Sequence, residues 1–245
     1  MSILGPYTGD KSKAGSYQYG PHWQGMKGYR VVDARQCPRE TENYRHQFGG
    51  SLWKVPTCKK CHTPLHQILT FDLSDPRLAS LHTEGLADLP LVSCVNCSAY
   101  WEPQVFQLDL QDKAVKVIAQ NDTQDFAQDP EDRLPSPLPL VPAGLTELKP
   151  EDIPGDRESY NQAWGLFGSE YIARLLGPPL YSQNPPDREC PLCKKEMTYV
   201  GMITSENYDE SGKLIPGVPF LLGEISLYFL FCKDCLILKT EAQGT

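Results

Sequence analysis

The residues best equipped for chemistry are cysteines, and their spacing is regular. Eight of the nine fall in four Cys-x-x-Cys pairs: Cys58/Cys61, Cys94/Cys97, Cys190/Cys193 and Cys232/Cys235. The first two pairs are 32 residues apart and the last two 38, while 92 residues separate the second pair from the third, so the pairs group two by two. Two cysteines separated by two residues fold over one metal ion as a knuckle. Two knuckles supply the four soft ligands that zinc takes in a tetrahedron, about 2.3 Å from each sulfur. The pattern predicts two structural zinc ions, each held by four thiolates with no open position for water.

Three rivals start from the same residues. CKKCH (Cys58 to His62) has the form of a c-type haem attachment site, but haem accounts for one pair of the four. A thioredoxin-type dithiol likewise needs one pair, at a helix start after a strand. Iron–sulfur clusters accept four thiolates and remain an alternative metal. Reversible disulfides within the pairs would make the chain a redox or metal-sensing protein, a reading that ready reaction of the thiols would favour. Outside the pairs, Cys37 lies between Arg35 and Arg39, cations that favour a thiolate nucleophile. His62 and His66 are four apart. The chain has no GxSxG elbow, no P-loop and no HExxH. No enzyme is therefore expected, unless an unrecognised site lies between the two halves.

The segments that must position the knuckles read as strands. QILTFDL and YVGMIT are apolar and β-branched, and SLYFLF is the continuous apolar run of a strand buried on both faces. VFQLDL and AVKVIAQ read as a hairpin. RLASLHTEGLADL carries a short helix signal after Pro76. RESYNQAWGLFGSEYIARLLG is the best helix candidate, weakened by Gly165 and Gly168. The chain also resembles itself: Gly49, Leu52 and Trp53 match Gly177, Leu180 and Tyr181, and Leu65, Ile68 and Phe71 match Met197, Val200 and Ile203. The expected fold class is α+β, a β-rich, internally duplicated fold of two homologous halves, each with a zinc-ribbon-like pair of knuckles supplying four cysteines. The expected organisation is an N-terminal extension (1–45) wrapping the body, a first zinc-binding half (46–120), an acidic Pro-rich linker (121–156) and a second zinc-binding half (157–245). Tyr29 to Val32 reads as an edge strand. Six prolines from Pro135 to Pro154 argue against regular structure in the linker, though Leu134, Leu138 and Leu140 suit docking on the body.

Composition narrows the partners. The net charge of −8 is uneven: residues 1–50 balance to +3 and residues 108–158 to −7. Without a basic stripe to neutralise phosphates, nucleic acid is not expected, and the acidic middle favours a basic protein. No run approaches the roughly 18 apolar residues of a membrane span. The first twenty residues lack the apolar core of a secretory signal, which points to the cytoplasm.

The order Gly-Gly, aromatic, Cys58-x-x-Cys61, Pro-Leu, a strand ending Thr-Phe-Asp-Leu and then Leu-Pro-Leu-x-x-Cys94-x-x-Cys97 resembles the YwqG-like family of bacterial proteins. The second half is similar too, through Cys190, Pro191, Cys193, Met197, Gly223, Tyr228, Phe229, Cys232 and Cys235. A more distant likeness is to the C-terminal domain of programmed cell death protein 2. The resemblance covers roughly residues 45–107 and 160–240. It implies an internally duplicated α+β fold without established catalysis, and a protein-binding role. Some relatives are thought to act as antitoxin-like immunity proteins, others to escort ribosomal proteins.

Overall fold

A computed structural model describes residues 19–20, 23, 25–37, 44–121, 129, 133–207 and 220–244. Most of the expected N-terminal extension lies outside the described residues. The rest is dominated by one antiparallel sheet of eleven strands. In chain order these are β1 (Gly28–Asp33), β2 (Gln47–Phe48), β3 (His66–Asp72), β4 (Asp88–Ser93), β5 (Gln104–Asp109), β6 (Ala114–Ala119), β7 (Val141–Glu147), β8 (Ala173–Leu176), β9 (Thr198–Thr204), β10 (Ile225–Cys232) and β11 (Ile237–Gly244). They lie side by side as β4-β3-β2-β7-β1-β8-β9-β10-β11-β5-β6. The α part of the expected class reduces to one helix, α1 (Arg157–Leu166), and short 3₁₀ turns.

Eight strands of the order are arranged symmetrically about the β7–β1 pair. Outward from the β7–β1 pair run β2, β3, β4 on one side and β8, β9, β10 on the other. A cysteine pair precedes β3 and another precedes β9. The remaining pairs follow β4 and close β10. Both arms turn out of their inner strand through two successive left-handed residues, Gly49–Gly50 (φ 66° and 81°) and Leu176–Gly177 (φ 54° and 64°). The second left-handed residue of each turn is a glycine, Gly50 and Gly177, and the residue three further on is Trp53 in one and Leu180 in the other. Leu52 is 41% exposed, whereas Trp53 and Leu180 are buried.

The sheet curls. Thr240 Oγ1 on β11 donates to Val92 O on β4 at 2.8 Å, which brings the first strand of the order against the ninth in a half-barrel. Ile68, Phe71, Phe106, Val200, Phe229 and Phe231 fill a core on one face. The other face carries Tyr199, Met202, Tyr228 and Leu230, under Ala163 and Phe167 from the α1 region. With both faces covered, β10 carries apolar side chains without a break from Leu227 to Phe231.

Three expectations change. β1 is central rather than an edge strand, paired with β7 on one side and β8 on the other. The Pro-rich segment supplies β7, in the middle of the sheet. Ala143 N donates toward β2, to His46 O at 2.9 Å, so Pro142 aims its N–H-less nitrogen at the β1 side, where pairing has ended at Asp33↔Ala143. Leu134 and Leu138 dock as apolar anchors, while Leu140 stays 59% exposed. Finally, the long helix candidate stops at Leu166, and its second part becomes β8. Asp156 caps the start of α1, accepting from Ser159 N at 2.8 Å. Gly168, at φ 105°, turns the chain away after its end.

Candidate metal centres

All eight paired cysteines converge as two groups of four, with the sulfurs of each group within 4.8 Å of one another. In the first group Cys58–Cys97, Cys61–Cys94 and Cys94–Cys97 are separated by 3.7, 3.6 and 3.4 Å. In the second, Cys193–Cys232 is 3.6 Å. A disulfide would bring sulfurs to about 2.05 Å, and all nine cysteines are unbridged. A tetrahedron with bonds of about 2.3 Å has edges of about 3.8 Å. The clusters fit a single metal ion each.

The backbone explains why they form. In the first knuckle Cys58 N donates to Thr63 O (2.8 Å) and His62 N to Cys58 O (3.1 Å). In the matching knuckle of the second group, Cys190 N donates to Lys195 O (2.8 Å) and Lys194 N to Cys190 O (3.0 Å). Both are flanked by an antiparallel bridge, Thr57↔Pro64 and Glu189↔Glu196. The residue after the second cysteine is left-handed in three of the four knuckles: His62 (φ 57°), Lys194 (φ 63°) and Leu236 (φ 54°). His62 therefore serves as the turn residue of a knuckle, exposed at its rim. His66 is buried in β3, so the two do not form a pair.

The first centre sits at the seam of the half-barrel. Cys94 N donates to Gln104 Oε1 at the start of β5 (3.1 Å), and Lys59 N to Gln120 Oε1 just beyond β6 (2.9 Å). Gln120 Nε2 donates to Gln104 Oε1 (2.9 Å), and Gln104 Nε2 to Ser93 Oγ (2.7 Å). Asn96, inside its knuckle, clasps Leu134 through both amide atoms (2.8 and 2.9 Å). These amides join strands from opposite ends of the sheet order. Isolated glutamines carry no signal in sequence; Asn96, framed by Cys94 and Cys97, was the one hint.

The sulfur chemistry suits a cation. Hydrogen bonds from Cys94 and Cys97 hold the Cys58 thiol well below its ordinary value, while their bonding to it pushes the Cys94 thiol well up and Cys97 up to about 12. Crowded thiols resist losing several protons together. A bound metal ion reverses that balance by stabilising every thiolate at once.

Cys37 is half-buried beside β7, where a Cβ on Gly144 would lie 2.2 Å from its sulfur. It shares a hollow of about 360 Å³ with His46. Both nitrogens of that ring are occupied: Asp72 N donates to Nδ1 (3.1 Å), and Nε2 donates to Asp75 Oδ2 (2.9 Å). His46 is thus no base for Cys37; it ties the start of β2 to the turn after β3.

Burial holds both His46 and His66 below the ordinary histidine value of 6.5. The unfolded chain then binds protons more readily. Their contribution is complete above pH 6.5 and is lost as pH falls toward the folded values. Urea titrations at pH 7.5, 6.5 and 5.5 should show a small decline over the first step and a larger one over the second. A flat profile would mean that these rings are not buried neutral.

No family model matches this chain, no curated protein matches it, and no solved structure matches its fold. Among the described residues no helix is long and apolar enough to cross a membrane.

Proposed function

We propose that the protein is a non-catalytic, zinc-stabilised interaction protein of the YwqG-like kind, with an immunity or chaperone-like role toward a basic client. The observation that carries this reading is the pair of closed four-cysteine clusters. A centre with four thiolate ligands builds structure and leaves no site for substrate or activated water. Zinc, with no redox chemistry and a ready tetrahedron, suits that ligand set best. Internal duplication belongs to the same reading. It is supported by the symmetric strand order, the matched knuckle hydrogen bonds and the paired left-handed turns. The exchange of β1 and β7 between the two arms then makes the halves inseparable, each built around its own zinc-ribbon-like knuckles.

The net charge of −8 suits a basic protein partner in the cytoplasm and disfavours nucleic acid and anionic membranes. The tagged protein should be isolated with its metal in place, and its co-purifying material analysed for protein and for nucleic acid at low and moderate salt. A basic protein, retained less as salt rises, is the expected result. Recovery of nucleic acid without a protein partner would overturn the proposal.

A further inference from the structure

The two clusters differ in their surroundings, and this inference rests on reading both as zinc centres. In the first, Cys58, Cys94 and Cys97 are wholly buried, and only Cys61 reaches the surface, with the Thr63 hydroxyl 3.0 Å from its sulfur. The buried amides of Gln104, Gln120 and Asn96 back it. In the second, Cys190 and Cys232 are buried, but Cys193 and Cys235 are both half-exposed, one from each knuckle. Its rim holds ion pairs between exposed side chains: Lys195–Asp234 (2.6 Å), Lys194–Glu189 (3.2 Å) and Arg188–Glu196 (3.0 Å). Such pairs restrain little. A disulfide needs one sulfur that an oxidant can reach and a second close behind it. Only the second cluster offers two reachable sulfurs within 4.8 Å.

We propose that Cys193 and Cys235 are an oxidation site, at which a peroxide joins the two sulfurs and expels the metal of the second centre alone. One thiolate attacks a peroxide oxygen, breaking the O–O bond and becoming a sulfenic acid, while the departing oxygen takes a proton and leaves as water. The second thiolate attacks that sulfur and displaces hydroxide, which is protonated to water. The two sulfurs lose two electrons and hydrogen peroxide gains them. Cys190 and Cys232 each take up a proton as zinc leaves. A dithiol reductant with added zinc reverses the change. The first centre keeps its ion and with it the seam of the sheet. The protein thereby retains its fold, while the turn between β10 and β11, which carries Cys235, stays tied to the knuckle before β9 by one disulfide in place of a four-coordinate ion. Peroxide would thus free Cys190 and Cys232 of their ion at the second centre and leave the first centre unchanged.

The test uses the intact wild-type chain. Zinc content is measured first, and two ions per chain are expected. The protein is then treated with a few equivalents of hydrogen peroxide beside a chromophoric zinc indicator, followed by alkylation and peptide mass mapping. One equivalent of zinc should appear with a Cys193–Cys235 disulfide. The remaining equivalent should stay bound, and competition with a chelator should show it held about ten- to a hundredfold more tightly, the range over which outer hydrogen bonds tune metal affinity. Two zinc ions leaving together, no release, or a disulfide elsewhere would overturn the oxidation site while leaving the zinc reading intact. A chain isolated without metal would overturn both.

Discussion

Replacing Cys94 by serine is expected to unfold the protein rather than merely lower its metal content. Cys94 is wholly buried and lies within 3.6 Å of both Cys61 and Cys97. Its backbone nitrogen is held by Gln104 of β5. Structural zinc in small sites contributes about 10–16 kcal/mol, and a whole domain is stable by about 5–15 kcal/mol. Weakening an ion that holds together the two knuckles on which Gln104 and Gln120 dock the far end of the sheet therefore removes a share comparable to the total. C94S should show no cooperative thermal transition and less zinc than wild type. A melt within a few degrees of wild type would show that the first centre is peripheral. C235S tests the contrast: it should lose one zinc ion and keep a cooperative transition, because the second centre fastens a hairpin turn and no seam.

The parts of this architecture that were legible in sequence are those encoded by adjacent residues. The four knuckles announce their own spacing, and β3, β9 and β10 carry apolar runs. The β5–β6 hairpin was legible because its strands are joined by a few residues, with Asp109 pairing Ala114. β1 was legible as a strand but not as a central one, and β7 was not legible, because their places are decided by partners far along the chain. Val31 faces Leu145 on one side and Ala173 on the other. A proline in β7 argues against a strand until the direction of each N–H is known. The two centres also looked equivalent in sequence. Their difference resides in Gln104 and Gln120, which reach the first knuckles only after the sheet has curled.

The second large effect is expected at Asp152, which no local pattern singles out. It lies in the 3₁₀ turn Pro150–Asp152 after β7, and its side chain is wholly buried. Arg30 of central β1 donates to it through Nε (2.7 Å) and Nη2 (2.8 Å), across 122 residues of sequence. Lys149 N (2.8 Å) and the Tyr171 hydroxyl (3.1 Å) donate to the same carboxylate, and Arg174 of β8 donates to its backbone carbonyl (2.9 Å). The Arg30 guanidinium also sits 4.5 Å from the centre of the Tyr171 ring. Asp152 thus joins the turn leaving β7 to β1 and β8, at the middle of the strand order. Removing one partner of a buried pair leaves the other charged and uncompensated, at about 3–5 kcal/mol. D152A should lower urea stability by that amount. Loss of the half-exposed Lys113–Asp88 pair should change it by about 0–1 kcal/mol. The double variant Arg30→Met with Asp152→Leu decides the cause. With both charges gone and apolar side chains in their place, it should recover stability relative to either single variant, since Glu170, the other partner of Arg30, is 46% exposed and returns to water. A double variant no more stable than the worse single one would show that the hydrogen bonds from Lys149 N and Tyr171 to this carboxylate, and not its pairing with Arg30, hold the junction.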